Sequence, residues 1–200
     1  MKPPLNQNRL PSLILASASP RRSELLREMG VPFTVVKADV PEIAPEHLSP
    51  VETAEINAYR KARATAKHHP DSLVLGADTV VSLGTEQFAK PADMADAERM
   101  LARLQGRTHL VITGVCLLQL RPYRQRLFAV STSVTFRKLH LGQIRRYLAK
   151  INPFDKAGSY AIQEEGDMIV KGCKGSFSNV VGLPVERLRE ELEAWNAVHS

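Results

Sequence analysis

The run Leu73-Val74-Leu75-Gly76-Ala77-Asp78-Thr79-Val80-Val81 constrains this chain more than any other stretch. It is short, apolar and rich in β-branched residues, the pattern of a strand buried on both faces of a parallel or mixed sheet. Asp78 sits inside it. An ionised carboxylate in such surroundings is destabilising by several kcal/mol unless a metal, a cation or strong hydrogen-bond donors compensate. Two readings stand at this point. Asp78 is either a functional carboxylate held in place against that penalty, or a structural one that caps a helix or closes a buried ion pair.

The elements before it alternate. Leu13 to Ala16 predicts a strand that runs into Ser17-Ala18-Ser19-Pro20-Arg21-Arg22. Ser19 as N-cap and Pro20 at the first helical position predict a helix with Leu25, Leu26 and Met29 on one side, ended by Gly30. Such a turn gathers free backbone N–H groups at the positive end of a helix dipole, and Arg21 and Arg22 add fixed charge. It is either a phosphate site or a well-capped, solvated helix start. Residues 31–40 predict a second strand, followed by a proline-rich loop with Asp39, Glu42 and Glu46. Ser49-Pro50-Val51-Glu52 combines a capping box with proline at the first helical position and predicts a helix to about His68. Ala54, Ala58, Ala62 and Ala66 form a narrow stripe that would let this helix lie close on a sheet. Asn57 and Lys61 share a neighbouring face, while Arg60, Arg63 and Lys67 are expected to face solvent. A lysine beside a packed stripe commonly just snorkels.

Beyond Val81 a turn at Gly84 leads to Phe88-Ala89-Lys90-Pro91. Asp93 caps a helix with Ala97, Leu101 and Leu104 inward, closed by Gly106. Strands are expected over 107–120 and 127–139, flanking a loop with Arg121, Pro122, Arg124 and Arg126. A helix with Leu141, Ile144 and Leu148 follows, then a turn-rich segment over 152–160 and a strand at 168–170. Residues 175–182 read as a loop with Ser176, Ser178 and Asn179, and Leu183-Pro184 opens a last helix with Leu188, Leu192 and Trp195 buried. The pattern predicts a disordered tail over residues 1–11 and a single α/β domain over 12–200, two-lobed with a central cleft.

Composition narrows the function classes. The chain has 200 residues, 44% hydrophobic and 24% charged, as soluble globular proteins do. Its net charge of +6 suggests an anionic partner, a phosphorylated small molecule or a nucleic acid. Much of the excess lies between Arg121 and Lys150, where there are Lys and Arg residues but no Asp or Glu. No apolar run approaches the roughly 20 residues of a membrane span, and no signal-like start is present. Cys116 and Cys173 fit no metal or redox spacing and read as free thiols in a reducing cytoplasm. A Walker loop, a G-x-G-x-x-G turn, an H-E-x-x-H helix, a G-x-S-x-G elbow and paired C-x-x-C motifs are all missing, which withdraws support from the enzymes that use them. What remains is a set of cations (Arg21, Lys61, Lys90) and carboxylates (Asp78, Glu42, Asp39). That mixture suits a polyphosphate, whose charge Lys and Arg offset while a carboxylate binds Mg²⁺ or Mn²⁺ and orients or deprotonates water.

Leu15-Ala16-Ser17-Ala18-Ser19-Pro20-Arg21-Arg22-Ser23-Glu24-Leu25-Leu26 resembles the opening motif of the Maf family of nucleoside triphosphate pyrophosphatases. Leu75-Gly76-Ala77-Asp78-Thr79-Val80-Val81 resembles the family's central strand. Ala89-Lys90-Pro91, Gly106-Arg107-Thr108-His109 and Thr113-Gly114-Val115 follow in the family's order, as do the segments Asp155 to Gln163 and Asn179 to Pro184. The resemblance spans about residues 12 to 190. It implies an elongated mixed β-sheet flanked by helices, a cleft, often a homodimer, and metal-dependent hydrolysis between the α and β phosphates. Residue by residue, it implies that Asp78 is the proton acceptor and that Ser17 and Arg21 in the opening motif bind substrate. Thr79 and Gln163 match positions tied to base selectivity, and Lys61 and Lys90 match lysines assigned here to the triphosphate. A divalent metal, Mg²⁺ or Mn²⁺, would rest on Asp78 with Glu42. The form of the segment around Gln163 is that of the dTTP/UTP branch, and a glutamine amide can match both a carbonyl and an N–H on a uracil or thymine edge. The alternatives are a 7-methyl-GTP or other noncanonical nucleotide pyrophosphatase, and a nucleic-acid-binding regulator that uses the basic stretch. Two departures stand out: Ala89 replaces the usual glycine before the lysine, and Glu164-Glu165 follow Gln163 where glycine is expected.

Overall fold

The computed structural model describes residues 11–197. The tail expected over residues 1–11 therefore lies outside the described residues, Pro11 excepted. In chain order the strands and helices are β1 (Leu13–Leu15), α1 (Pro20–Glu28), β2 (Phe33–Val35), α2 (Pro50–Ala66), β3 (Leu73–Leu83), β4 (Glu86–Phe88), α3 (Met94–Leu104), β5 (Thr108–Leu120), β6 (Tyr123–Phe136), α4 (Leu141–Leu148), β7 (Val170–Lys174), α5 (Phe177–Val181) and α6 (Val185–Ala197). The strands form one open mixed sheet in the order β2-β1-β3-β5-β6-β7, with β4 also paired to β3. The expected α/β class and mixed sheet are both present.

The central strand is the longest-shared element and also where the sheet parts. One edge of β3 is covered by β5 from Val74 to Ser82. The other edge pairs with β1 over Leu73 to Leu75 and with β4 over Val81 to Leu83. Among the described residues no strand fills the edge between, at residues 76–80. The chain leaves β1 after Leu15 and enters α1 through Pro20, so the sheet splits beside Asp78 and Thr79 and a cleft opens there. A divergence of neighbouring strands is where open α/β sheets commonly place ligands.

Helix α2 lies alone on one face. Its capping box forms as expected, with Ser49 Oγ accepting from the Glu52 N–H and the Glu52 carboxylate accepting from the Ser49 N–H. The alanine stripe is fully buried. It fits because the strands beneath carry glycines: a Cβ on Gly76 would lie 2.3 Å from the Ala58 carbonyl oxygen, and one on Gly114 would lie 2.4 Å from that of Ala54. The opposite face carries two separate cores. Leu15, Leu26, Leu75, Leu192 and Trp195 pack under α1 and α6. Leu101, Leu104, Phe136, Ile144 and Tyr147 pack around α3 and α4. These cores are the two lobes, and the cleft runs between them.

Several local expectations need correction. Strand β2 spans Phe33–Val35 and not residues 31–40, because it is a partly exposed edge and the proline-rich segment beyond it has no strand to pair with. Strand β6 begins at Tyr123, so Arg124 and Arg126 are strand residues and only Arg121-Pro122 turn. Their charge hid the strand because both side chains reach α6: the Arg124 guanidinium stacks 4.2 Å from the Trp195 ring centre, and Arg126 lies 3.8 Å from Glu191. Strand β7 starts at Val170, two residues after the expected start. Residues 177–181 form the short helix α5, capped by Ser176 Oγ accepting from the Asn179 N–H. Arg60 is half-buried and donates to the Pro41 carbonyl, where solvent exposure was expected. The basic stretch is divided among neighbours: Arg121 pairs with Asp71, Arg145 with Glu98 and Lys150 with Glu165. No described helix is long and apolar enough to cross a membrane. Cys116 and Cys173 are free thiols, as expected.

Candidate active site

The cleft contains a cavity of about 240 Å³ that passes over Asp78 and Thr79 and reaches Tyr160 and Gln163. A second cavity of about 380 Å³ shares Arg21, Arg22, Glu42, Lys90 and Asp155 with it and extends to Lys37 and Lys61. The combined cleft has a basic end and a less charged end walled by Val80, Phe88 and Val181. That asymmetry matches a ligand with a charged tail and a flat, weakly polar head.

Successive residues of a strand point to opposite faces. Asp78 points toward α2. There its Oδ1 accepts from Lys61 Nζ at 2.6 Å and its Oδ2 from Asn57 Nδ2 at 3.1 Å. Helix α2 supplies both donors one turn apart, and the alanine–glycine contact brings its axis close enough for them to reach. The Asn57 amide also clasps the Ile43 backbone, accepting from its N–H and donating to its carbonyl, which ties the acidic loop to the helix. Glu42 on that loop lies 2.8 Å from Lys61 Nζ and 3.1 Å from Lys90 Nζ. Burial raises the Glu42 pKa, but Lys61 and Lys90 outweigh it and bring the carboxyl down to about 2. The result is a continuous chain of charge, Asp78–Lys61–Glu42–Lys90. Lys61 is buried within it, so the snorkelling expectation gives way to a bridging one.

Thr79 points the other way, into hydroxyl and amide groups. Its Oγ1 accepts from the Arg22 guanidinium at 3.1 Å and lies 3.0 Å from Thr113 Oγ1. Arg22 is buried, and its other nitrogens donate to Ser17 Oγ and to the Gly182 carbonyl. No carboxylate lies within ion-pair distance of it among the described residues. Burial lowers its pKa, and the fields of Asp78 and Glu42 partly restore it. A guanidinium this deep, with neutral partners only, is a standing attraction for an anion.

The sequence-predicted residues divide accordingly. Glu42, Lys61, Asp78 and Lys90 are brought into one cluster. Arg21 faces the cleft but spends its guanidinium on Asp155, 2.7 Å away across the lobes. Ser17 lines the basic cavity, yet its hydroxyl is used locally, accepting from Ser19 N–H and from Arg22. Gln163 stands exposed at the rim of the less charged end. Asp39 is not among the residues that line either cavity. Sequence reasoning missed Arg22 as the buried partner of Thr79 and Asn57 as the second donor to Asp78. The i, i+4 spacing of Asn57 and Lys61 was the available signal for the latter. Lys156 was also missed: it is 5% exposed and lies between Asp155 and Glu164. The departures at 164 and 165 resolve into ion pairs, Glu164 with Lys156 and Glu165 with Lys150. Ala89 gives its carbonyl to the Gly158 N–H and leaves Lys90 in the cleft.

Among the described residues no group of three or more His, Cys, Asp or Glu side chains converges in the manner of a metal cage. Two carboxylates, Asp78 and Glu42, do converge on one point, where Lys61 Nζ provides the positive charge. That donor set fits a hard divalent cation of the Mg²⁺ type, which takes one or two carboxylates and fills its remaining positions with water and phosphate oxygens.

A family model described as Maf-like protein matches residues 12–195. A protein of Exiguobacterium sibiricum named dTTP/UTP pyrophosphatase is 47% identical over 183 residues, 92% of this chain and 92% of its own. One of the same name from Akkermansia muciniphila is 46% identical over 176 residues, covering 88% of this chain and 92% of its own. A third, from Pelotomaculum thermopropionicum, is 43% identical over 181 residues, 90% of this chain and 95% of its own.

Proposed function

The chain belongs to the Maf family, and on that footing we propose that it hydrolyses the α–β phosphoric anhydride of dTTP and UTP, releasing the nucleoside monophosphate and pyrophosphate. The observation that carries this reading is Asp78, buried yet opening on a cleft whose lining includes Arg21, Arg22, Lys61, Lys90 and Lys156. Relatives of nearly full length bear the matching name.

In this mechanism the triphosphate lies at the basic end, where Lys61, Lys90 and the buried Arg22 offset its charge. Asp78 orients a water for in-line attack on the α-phosphorus and takes its proton. The water oxygen forms the new bond to phosphorus, the bridging α–β oxygen leaves with pyrophosphate, and the base end of the nucleotide rests against Thr79 and Gln163. Asn57 fixes the second oxygen of Asp78, so the first keeps its aim as Lys61 moves toward phosphate. Asp78 and Glu42 are the residues that would hold a divalent cation, which would neutralise charge on the phosphoryl oxygens. Work in the cytoplasm and assembly as a homodimer belong to the same proposal.

The test is pyrophosphate release across a panel of canonical and modified nucleoside triphosphates with Mg²⁺ or Mn²⁺, run beside Asp78→Asn. Turnover of dTTP and UTP that disappears in a folded Asp78→Asn variant supports the reading. Silence on every triphosphate from a folded protein, or near-full turnover by the variant, overturns it.

A further inference from the structure

The hydrogen bonds behind Thr79 fix which way its hydroxyl proton points. Thr113 Oγ1 lies 3.0 Å from the backbone carbonyl oxygen of Asn179, which can only accept, so the single Thr113 hydroxyl proton points there. Without it, two oxygen lone pairs would face each other in a fully buried site. Thr113 can therefore only accept from Thr79, and the Thr79 proton is directed to it across 3.0 Å. The Arg22 guanidinium, which has no acceptor function, occupies one lone pair of Thr79 Oγ1. The polarity of the series is then fixed from end to end, as Arg22 donates to Thr79, Thr79 to Thr113, and Thr113 to Asn179.

Both ends of this series are anchored. Asn179 is buried, and its amide nitrogen donates to the Val111 carbonyl and to Thr132 Oγ1. Gly182, whose backbone takes a φ of 130° that side chains rarely allow, gives its carbonyl to Arg22 Nε. Thr79 is the one half-exposed residue in the run from Leu73 to Ser82, and it opens on the cleft. What it presents there is an oxygen lone pair with no proton to give.

We propose that Thr113 is a positioning residue for base selection: it holds the Thr79 hydroxyl as a pure acceptor, which demands a donor from the nucleotide and reads the N3–H of a uracil or thymine ring. The inference rests on the pyrophosphatase reading above and deepens it. Phosphate oxygens offer no donor at neutral pH. On the base, N3–H is common to uracil and thymine, whereas cytosine carries an acceptor at N3. A fixed acceptor facing that acceptor leaves both unpaired, and sites built to bond a donor reject analogues lacking it strongly.

The experiment compares UTP, CTP, 3-methyl-UTP and 2′,3′-dideoxy-UTP as substrates for the wild-type protein, Thr113→Val and Thr113→Ser. The wild-type protein should prefer UTP over CTP and over 3-methyl-UTP by roughly tenfold or more in kcat/KM, and should keep most of its activity on the dideoxy sugar. Thr113→Val frees the Thr79 proton to face the cleft, so the UTP-to-CTP ratio should fall by about tenfold, and Thr113→Ser should restore it. A purely structural role for Thr113 would lower activity on both nucleotides together and leave the ratio alone, which would overturn the proposal. Indifference of the wild-type protein to N3 methylation, or a loss that follows the sugar hydroxyls, overturns it even where Thr113→Val fails to fold. Silence of the wild-type protein on UTP and CTP alike would sink the pyrophosphatase reading, and this inference with it.

Discussion

The two faces of β3 at the cleft differ in kind. On the α2 side, Asp78 belongs to a chain of alternating charges on α2, the acidic loop and Lys90. On the other side, one residue later, Thr79 belongs to hydroxyls and backbone carbonyls with a single guanidinium at the end. The first face is ionic, with two carboxylates and two lysines in one chain of contacts. The second is locked by hydrogen bonds among hydroxyls, backbone carbonyls and one guanidinium, whose donor and acceptor roles are fixed. Chemistry on a phosphoric anhydride needs the first kind of surface, and discrimination among neutral bases needs the second. A single strand supplies both because its side chains alternate.

The sharpest way to break this comparison is to neutralise one residue on each face. Asp78→Asn keeps the shape and the contact with Asn57 but removes the proton acceptor. It should lower kcat by about 10³-fold, near 4 kcal/mol, with the circular dichroism spectrum unchanged. Thr79→Val should act mainly on KM and on the choice of base, with a loss of about tenfold in kcat/KM for UTP. Equal losses in kcat from the two variants would mean that the faces do not divide the work as described.

A second break targets the mounting of the ionic face. Gly114 is the cross-strand partner of Asp78, and α2 rests on it through Ala54. In Gly114→Ala the new methyl meets main chain that has no rotamer to yield, so α2 must lift. The expected loss is about 3 kcal/mol, seen as a fall in Tm of roughly 10 °C. Lys61 and Asn57 would move away from Asp78, so kcat should fall as well at temperatures where the variant is folded. The same substitution at Gly172, where no atom lies within 4 Å of the added methyl, is the control.

The contrast extends to pH. His109, buried on the same face of β5 as Thr113 and four residues before it, shares a hydrogen bond of 2.8 Å with the Tyr160 hydroxyl and packs edge-on against Phe136. Burial pushes its pKa from 6.5 down to about 4. Between those values the unfolded chain binds a proton that the folded chain refuses. Stability is therefore full above about pH 6.5 and falls as the pH drops toward 4, by up to about 3 kcal/mol. Glu42 acts in the same direction but in a more acidic window, since its carboxyl is held down to about 2 in the fold. Its contribution is present above about pH 4.5 and is lost only as the pH falls through 2. It is small because the side chain is 42% exposed. The neutral face should thus fail first in acid. Denaturant unfolding at pH 7 and pH 4.5 should show the loss in the wild-type protein and a flatter profile in His109→Phe.

The sequence exposed these two faces unequally. Asp78 was conspicuous because a carboxylate inside a β-branched run breaks a strong pattern, and the capping box and alanine stripe announced the helix that answers it. Lys61 and Asn57 could be placed on one face of that helix by spacing alone. The split of the sheet could not be seen, since it depends on β1 ending at Leu15 and on β4 returning to Val81, pairings between residues far apart in the chain. Arg22 was indistinguishable from Arg21, two adjacent arginines at a helix start, and only packing decides that one is buried and the other reaches Asp155. Thr113, Asn179 and Thr132 carry no local signal, because a threonine in a strand satisfies β-propensity whether or not its hydroxyl has a task. The start of strand β6 is hidden in the sequence for a similar reason: Arg124 and Arg126 suggest a loop until Trp195 and Glu191 are placed beside them.

The smallest expected effect sharpens the comparison by touching the ionic face at a distance. Ser49 caps α2 reciprocally with Glu52, two turns before Asn57. Ser49→Ala leaves the Glu52 N–H without its acceptor and should lower stability by about 1 kcal/mol, a Tm shift of about 3 °C. The fraying this allows is confined to the first turn, because from Ala54 onward the helix is pinned against Gly114 and Gly76. Turnover measured well below Tm should therefore stay within about twofold of the wild-type protein. A larger loss of kcat, with the base preference unchanged, would show that the whole of α2 moves as one lever on Asp78. The ionic face would then be tuned from its far end, while the neutral face, which has no contact with that cap, would keep its selectivity.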